Sequence, residues 1–431
     1  MKKRLFSLLT SLIMVLSLAA VMPTMTVGAE ASGDYEYEIL DDGTVGITSY
    51  NGSATNLNIP STISGRKVTH IYDYSFAGNK KLSSINISDN VEYFGEGTFY
   101  NCSSLKSVKL PNNANFDTIS DSVFEKCTSL ISINIPATVQ SIDDYAFYDC
   151  DNLKNISIPY SVSYVGAYAF LGTAWLENKI KINPLVTINS VLVDGRLCTG
   201  NITIPNNVNT ITKYAFFGCE NIKRVTIPES VYDIDDYAFS NCTKLSSIQI
   251  PNSVSGFGKE VFYNTPWLAN KQKSNPMVIV NGILIDGSKC RGNIKVPDSV
   301  STIVDSAFAY NSDLTSISIS NNVSVIGCEA FSYCSNLNQV KLPNNIMWID
   351  NSTFQGCYSL KNITIPNSVS MIMELAFADC YNLKSISVPK KVGFIGNLAF
   401  GFVYSYYDED ENTNYYVPLD NFTIKCYSGT E

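Results

Sequence analysis

Leu153-Lys154-Asn155-Ile156-Ser157-Ile158-Pro159 is the stretch whose reading decides the fold. Its second half alternates polar and apolar residues, the pattern of a short strand with one buried face. Pro159 has no N–H to give a ladder, so the strand ends there. Val162 and Val165 then turn the chain back, Gly166 follows, and Ala169-Phe170 closes the segment. The closing Phe recurs at Phe76, Phe99, Phe124, Phe147, Phe170, Phe216, Phe239, Phe262, Phe308, Phe331, Phe354, Phe377 and Phe400, with spacings of 23, 25, 23, 23, 46, 23, 23, 46, 23, 23, 23 and 23. Counted from each Phe, an apolar residue, usually Leu, stands at +6, Ile or Val at +9, Ile, Leu or Val at +11, Pro usually at +12, and Val and Ile at +15 and +18.

A single 23-residue coil cannot bury its own Leu, Ile and Phe. Stacked coils bury them against one another and make a continuous core. The expected fold is therefore a repeat solenoid of the leucine-rich-repeat type, with one short parallel strand per coil, forming a curved rod that is mostly β and loop. A three-strand parallel β-helix is the alternative. It would need three alternating segments per coil, and only one clear strand is legible. The run Leu-x-x-Ile-x-Ile-Pro-x-x-Val-x-x-Ile-Gly-x-x-Ala-Phe-x-x-Cys resembles the BspA-like class of leucine-rich repeats. Residues 153–170 and 383–400 carry it most closely, and the likeness extends over about residues 35–427. The resemblance implies a secreted or cell-surface protein that binds extracellular-matrix proteins or cells.

Two spacings are doubled, and both carry the same design. Trp175-Leu176 and Trp267-Leu268, Asn189 and Asn281, Asp194-Gly195 and Asp286-Gly287, and Cys198 and Cys290 are each 92 residues apart. Asn281-Gly282 between apolar runs signals a hairpin, so widened hairpin units are expected near 171–200 and 263–292. The organisation read from the sequence is a signal peptide over 1–29, an N-terminal cap with degenerate first coils over 30–75, and the repeat solenoid over 76–400. An acidic, Tyr-rich insertion and a last strand follow over 401–431. Lys2, Lys3 and Arg4, the apolar run Leu5 to Met22, and the small residues Val27-Gly28-Ala29 form the signal. No later stretch approaches roughly 20 apolar residues, so no membrane span is expected in the mature chain.

Composition narrows the function. Charged residues are 16% of the 431 and the net charge is -9, which argues against a nucleic-acid partner, since phosphate binding needs clustered Lys and Arg. Eight cysteines fall at +3: Cys102, Cys127, Cys150, Cys219, Cys242, Cys334, Cys357 and Cys380. Asn79 and Asn311 take the same place, as do Thr173 and Thr265. A structural ladder of mostly free thiols, bonded to loop backbone within the coil, is the expectation. Disulfides between neighbouring coils are geometrically within reach.

No metal site is expected: His70 is the one histidine and there is no Cys-x-x-Cys. The acidic run Asp408 to Glu411 lacks the alternation of a calcium loop. No cofactor and no catalytic residue are predicted. Asp143-Asp144 and Asp235-Asp236 stand where other coils have Gly, which points to turn chemistry. The outward strand positions +8 and +10, such as Ser132/Asn134, Asn155/Ser157 and Ser247/Gln249, are small and polar, with no aromatic. Tyr145, Tyr168, Tyr214 and Tyr237, all at -2, make an aromatic edge that could meet a ligand. The functional expectation is adhesion, that is, binding of an extracellular protein or a cell-surface glycan by a secreted or surface-displayed, non-enzymatic protein. A spacer or display scaffold is the second reading and a solenoid glycan-active enzyme the third.

Overall fold

The computed structural model describes residues 30–408 and 413–425. The expected signal peptide, the acidic residues Glu409 to Glu411 and Cys426 lie outside the described residues. The chain divides into two compact units, the first ending at Asp233 and the second beginning at Ile234.

The first unit opens with an antiparallel meander of Glu30–Ser32, Tyr35–Ile39 and Val45–Tyr50. Val45–Tyr50 then pairs in parallel with Arg66–Ile71, and Arg66–Ile71 with Tyr93–Phe94, so the meander covers the open end of the stack. From there the strands repeat coil by coil. Asn56–Asn58, Ser84–Asn86 and Ser107–Lys109 form one parallel sheet. Ser132–Asn134 pairs with Asn155–Ser157 in the register Ser132↔Asn155. The middle residue of the strand points inward: Val108 and Ile133 are buried between exposed neighbours.

The Val-x-x-Ile segment does more than turn the chain. Thr118–Ile119, Ser141–Ile142 and Tyr164–Val165 form a second parallel ladder, with Ile119, Ile142 and Val165 buried. The second unit repeats the plan. Gly292–Lys295, Leu314–Ser318, Gln339–Lys341 and Asn362–Ile363 make one parallel sheet. Trp348–Ile349, Met371–Ile372 and Phe394–Ile395 make a second. The Tyr-rich stretch after Phe400 is an antiparallel hairpin, Phe402–Asp408 with Thr413–Pro418, and Thr423–Lys425 then pairs in parallel with Ser385–Ser387.

The repeated Phe is the core's spine. In the first unit Phe99, Phe124, Phe147 and Phe170 stack at centroid distances of 5.5, 5.4 and 5.4 Å. In the second, Phe308, Phe331, Phe354 and Phe377 stack at 5.0, 5.4 and 5.3 Å. Burying each ring contributes about 1.5–3 kcal/mol, and each stacked pair adds about 0.5–1.5 kcal/mol.

Closing a coil so tightly demands unusual backbone. The residue two before the Phe adopts a left-handed conformation, as in Tyr74, Ser122, Tyr145, Glu260 and Ser306, and so does the residue two after it, as in Asn101, Lys126, Asp149 and Asn264. Backbone N–H groups of this turn reach across to the next coil: Tyr145 N–H donates to Ala167 O at 2.9 Å and Phe147 N–H to Ala169 O at 2.8 Å. The turn side is thus a hydrogen-bonded ladder of its own.

Each doubled spacing contains a helix followed by a hairpin. Helix α1 spans Ala174–Ile182 and helix α2 Pro266–Ser274. Thr173 and Thr265 are their N-caps, each accepting a backbone N–H at 3.1 Å, from Leu176 and Leu268. Pro266 occupies the first helical position, where its missing N–H costs nothing. The hairpins are Val186–Ile188 with Val191–Asp194 and Val278–Val280 with Ile283–Asp286. Their turn residues Asn189 and Asn281 have positive φ. Each also donates its side-chain amide to two carbonyls of the preceding coil, Pro159 and Val162, or Pro251 and Val254. The two helices are not part of the sequence-based reading.

Candidate functional site

Position -2 places a side chain on the turn edge, and the left-handed backbone there costs a bulky L-residue roughly 1–2 kcal/mol. Tyr145, Tyr168 and Tyr214 have φ of 57°, 53° and 60°. Their rings recover part of that cost by stacking. Tyr145 and Tyr168 lie 5.8 Å apart, Tyr168 and Tyr214 5.0 Å apart and nearly parallel, and Tyr148 and Phe217 meet Tyr145 and Tyr214 edge-on. All three rings are half-buried. Lys213 Nζ stands 5.7 Å from the Tyr214 ring centroid and 3.6 Å from the Asp144 carboxylate. Burial pushes the Tyr168 phenol up to about 12, so at neutral pH it stays protonated and able to donate. Tyr237 belongs to the second unit, where Lys259 lies over its ring at 5.8 Å and pairs with Glu329 at 3.5 Å. Within the first unit the structure brings Tyr145, Tyr168 and Tyr214 into one stack.

A second row of tyrosines lies after the Phe, between +1 and +4, away from position -2. In the second unit Tyr310 and Tyr333 stack at 5.2 Å within 4° of parallel, and Tyr358 and Tyr381 extend the row. They stand at +2 and +4, so no single position in the repeat betrays them.

The cysteine ladder is buried in both units. Cys102, Cys127 and Cys150 donate from Sγ to the carbonyls of Phe76, Phe99 and Phe124 at 3.1, 3.2 and 3.0 Å. Cys334, Cys357 and Cys380 do the same toward Phe308, Phe331 and Phe354. Each bond thus runs to the preceding coil, not within the coil as the sequence suggests. Cys219 donates to Cys198 O at 3.1 Å, and Cys242 is fully buried in the same position. Burial pushes the Cys102 and Cys334 thiols up to about 12. Asn311 substitutes by giving its amide to Gly287 O and Cys290 O while accepting the N–H groups of Asp313 and Leu314.

The aspartate pairs serve the coil joints. Asp144 Oδ1 accepts the N–H of Ala167 at 2.6 Å, and Asp236 Oδ1 that of Lys259 at 2.8 Å, each across one coil boundary. Asp73 and Asp305 make the same bond to Glu96 and Cys328. Asp143 is half-buried beside Ser141, with which it shares a hydrogen bond. Burial raises its carboxyl to about 6, with Asp121, Asp144 and Asp117 adding repulsion. The native state therefore holds this proton more tightly than the unfolded chain, and stability falls as pH rises between about 4 and 6. Asp143→Asn is expected to remove that slope. Its Tm should match the parent near pH 4 and exceed it at pH 7, and a parallel decline in both proteins would count against the assignment.

The profile of the BspA type leucine-rich repeat region matches in six copies over residues 69–194, 196–275 and 286–405, well over half of the chain. The chain belongs to the BspA-type leucine-rich repeat family. Among solved structures it is similar to a leucine rich cell surface protein of Faecalibacterium prausnitzii A2-165, at 25% identity over 95% of this chain and 97% of that one, with a TM-score of 0.34. It is also similar to a leucine-rich repeat protein of Bacteroides ovatus ATCC 8483, at 25% identity over 86% and 91% with a TM-score of 0.35. The pneumococcal vaccine antigen PcpA matches at 16% identity over 94% and 89%, with a TM-score of 0.34. No curated protein sequence matches the chain.

For a BspA-type chain the remaining candidates sit in ordinary places. His70 lies in the strand Arg66–Ile71 against the Tyr93 ring at 5.6 Å, with Thr69 Oγ1 at 2.9 Å from Nδ1. Among the described residues no group of three or more His, Cys, Asp or Glu side chains could hold a metal ion. No helix among them is long and apolar enough to cross a membrane. The strand face does depart from expectation. Trp175, the second residue of α1, is half-buried beside Asn155–Ser157, so that face has an aromatic neighbour after all.

Proposed function

We propose that this BspA-type protein is a secreted or surface-displayed, non-enzymatic binding protein. Its tyrosine edge meets an extracellular protein or a cell-surface glycan, in the manner of an adhesin. The observation that carries this reading is the Tyr145–Tyr168–Tyr214 stack, three bulky aromatics kept at left-handed positions that Asn or Gly would occupy at less cost. Half-buried tyrosine rings suit an interface, because they offer apolar area and a hydrogen bond at little entropic cost. Lys213 and Asp144 flank the stack and would add charge complementarity at its rim.

The test is a binding screen of the purified protein on immobilised fibronectin, fibrinogen, collagen, mucin and a glycan array. The parent is compared with a variant carrying Tyr145→Asn, Tyr168→Asn, Tyr214→Asn and Tyr237→Asn. Asn tolerates the left-handed backbone, so the fold is expected to survive. The parent's saturable binding should drop at least ~100-fold in the variant, a loss of about 2.7 kcal/mol at a central aromatic cluster. Equal binding by a variant with an unchanged circular-dichroism spectrum would remove the edge from the interface.

A further inference from the structure

The outward strand positions of this solenoid are mostly Ser, Thr and Asn, and each of the two inserts interrupts their sheet, after Asn155–Ser157 and after Ser247–Gln249. Asn155–Ser157 pairs with Ser132–Asn134 on one side, and among the described residues no strand pairs with it on the other. Helix α1 enters the chain at the coil that would have supplied the next rung. The N–H of Trp175 donates to Leu153 O at 2.8 Å, which pins the first turn of α1 to the start of that strand. The result is a shallow trough of about 500 Å³ with Trp175 as its wall. Its polar lining is Ser132, Asn134, Asn155, Ser157 and Lys154. The strand register sets Ser132 beside Asn155 and Asn134 beside Ser157, so the floor is a two-by-two array of hydroxyls and amides.

We infer that this trough is an oligosaccharide-binding site, separate from the tyrosine edge, and that it takes a carboxylate-bearing sugar chain better than a neutral one. A sugar ring presents a face of polarised C–H bonds and a rim of hydroxyls. The indole face carries the negative end of the ring quadrupole and attracts the first. Amide and hydroxyl side chains donate and accept at once, and so match the second without a competing charge. Lys154 is the one charged side chain in the lining, and Lys179 Nζ lies 5.6 Å from the Trp175 ring centroid. In a chain of net charge -9, Lys154 in the lining and the Lys179 ammonium near the indole favour an anionic sugar. The open form suits a chain lying across the strands.

An extended peptide adding to the free strand edge is the competing occupant. That mode needs pockets for alternate side chains, and the apolar lining here is limited to Ile133, Ile156 and the indole. The second insert provides an internal comparison. Both indoles rest on the Phe of their coil, Trp175 on Phe170 at 5.0 Å and Trp267 on Phe262 at 4.5 Å, but Trp175 is half-buried whereas Trp267 is only 7% exposed.

Trp175 reports on its own site once the other two tryptophans are replaced. In a Trp267→Phe, Trp348→Phe chain, emission is followed during titration with a hyaluronan hexasaccharide and with cellohexaose. The hyaluronan fragment should change the emission saturably and bind more tightly than cellohexaose. Calorimetry on the otherwise unaltered protein should show the same order. Asn155→Ala, an exposed change that spares the core, should weaken binding roughly tenfold, or about 1.4 kcal/mol, while the four tyrosine replacements leave it unchanged. No response to either hexasaccharide would overturn the inference. So would equal affinity for the two, or a response confined to a strand-forming peptide of alternating apolar residues.

Discussion

Phe147→Ala should cost about 3–5 kcal/mol, the usual loss when a buried aromatic ring is deleted from a packed core. Phe147 is fully buried and stacks on two neighbours, Phe124 and Phe170, at 5.4 Å each, so one substitution removes two ring contacts and opens a void between three coils. The flanking carbonyls are involved as well. Phe124 O receives the Cys150 thiol, and the Phe147 N–H crosses to Ala169 O. A solenoid coil touches only its neighbours, so the damage should spread by proximity. Hydrogen exchange is expected to rise most in the coils of Phe124, Phe147 and Phe170 and much less around Phe331 and Phe354. Uniform loss of protection along the chain would contradict a nearest-neighbour core.

Gly166→Ala should be the second severe change, at about 1–3 kcal/mol or more, because overpacking here meets the backbone of Asp143 and Asp144 as well as the hydrogen-bonded Asp144 carboxylate. A Cβ at Gly166 would lie 2.4 Å from Asp144 N and 2.6 Å from Asp143 C. The closeness comes from the joint itself, where the Asp144 carboxylate bonds the N–H of Ala167 directly beside the glycine. Gly258 and Gly327 meet Asp236 and Asp305 in the same way. Gly393→Ala is the control, since nothing lies within 4 Å of where its Cβ would stand, and it should leave Tm within about 1 °C of the parent. If both glycines tolerate Ala equally, close approach at the aspartate joint is not what keeps Gly166.

The Phe series makes the coil, its core residues and the thiol position legible, because each is a repeated event and repetition averages out local ambiguity. Phe99, Leu105, Val108 and Cys102 are all buried where the period puts them. Features that occur once or twice are harder to read. Helices α1 and α2 have only nine residues each, too short for a convincing apolar periodicity. Signals for them are present in the sequence: Thr173 and Thr265 in the cysteine position act as N-caps, Pro266 sits at a helix start, and Lys179, Lys181, Lys271 and Lys273 fall in the last turns. Against the cysteine ladder those threonines look like mere replacements for a thiol, and their capping role goes unseen. The left-handed turns are hidden for another reason. Tyr at -2 gives no conformational hint, unlike Gly or Asn, and only Gly97 among these positions advertises the geometry. The tyrosine edge is visible as a pattern. The partial exposure of Trp175 is not, since Trp175 and Trp267 are equivalent in sequence and differ only in how deeply each is seated.

The thiol bonds have a direction. Cys102, Cys127 and Cys150 in the first unit, and Cys334, Cys357 and Cys380 in the second, all donate to a carbonyl one coil nearer the N-terminus. A chain emerging N-terminus first therefore lays each of these thiols on an acceptor that already exists, and none of these rungs waits for residues not yet made. Growth becomes templated addition, with the meander of Glu30 to Tyr50 as the seed crystal and each finished coil as the next growing face. Such a polymer tolerates interruption at its late end far better than loss of its seed. Trimming whole coils from the C-terminal side should leave an ordered stub, whereas deleting the opening meander should loosen the first coils of the first unit, which pair with it.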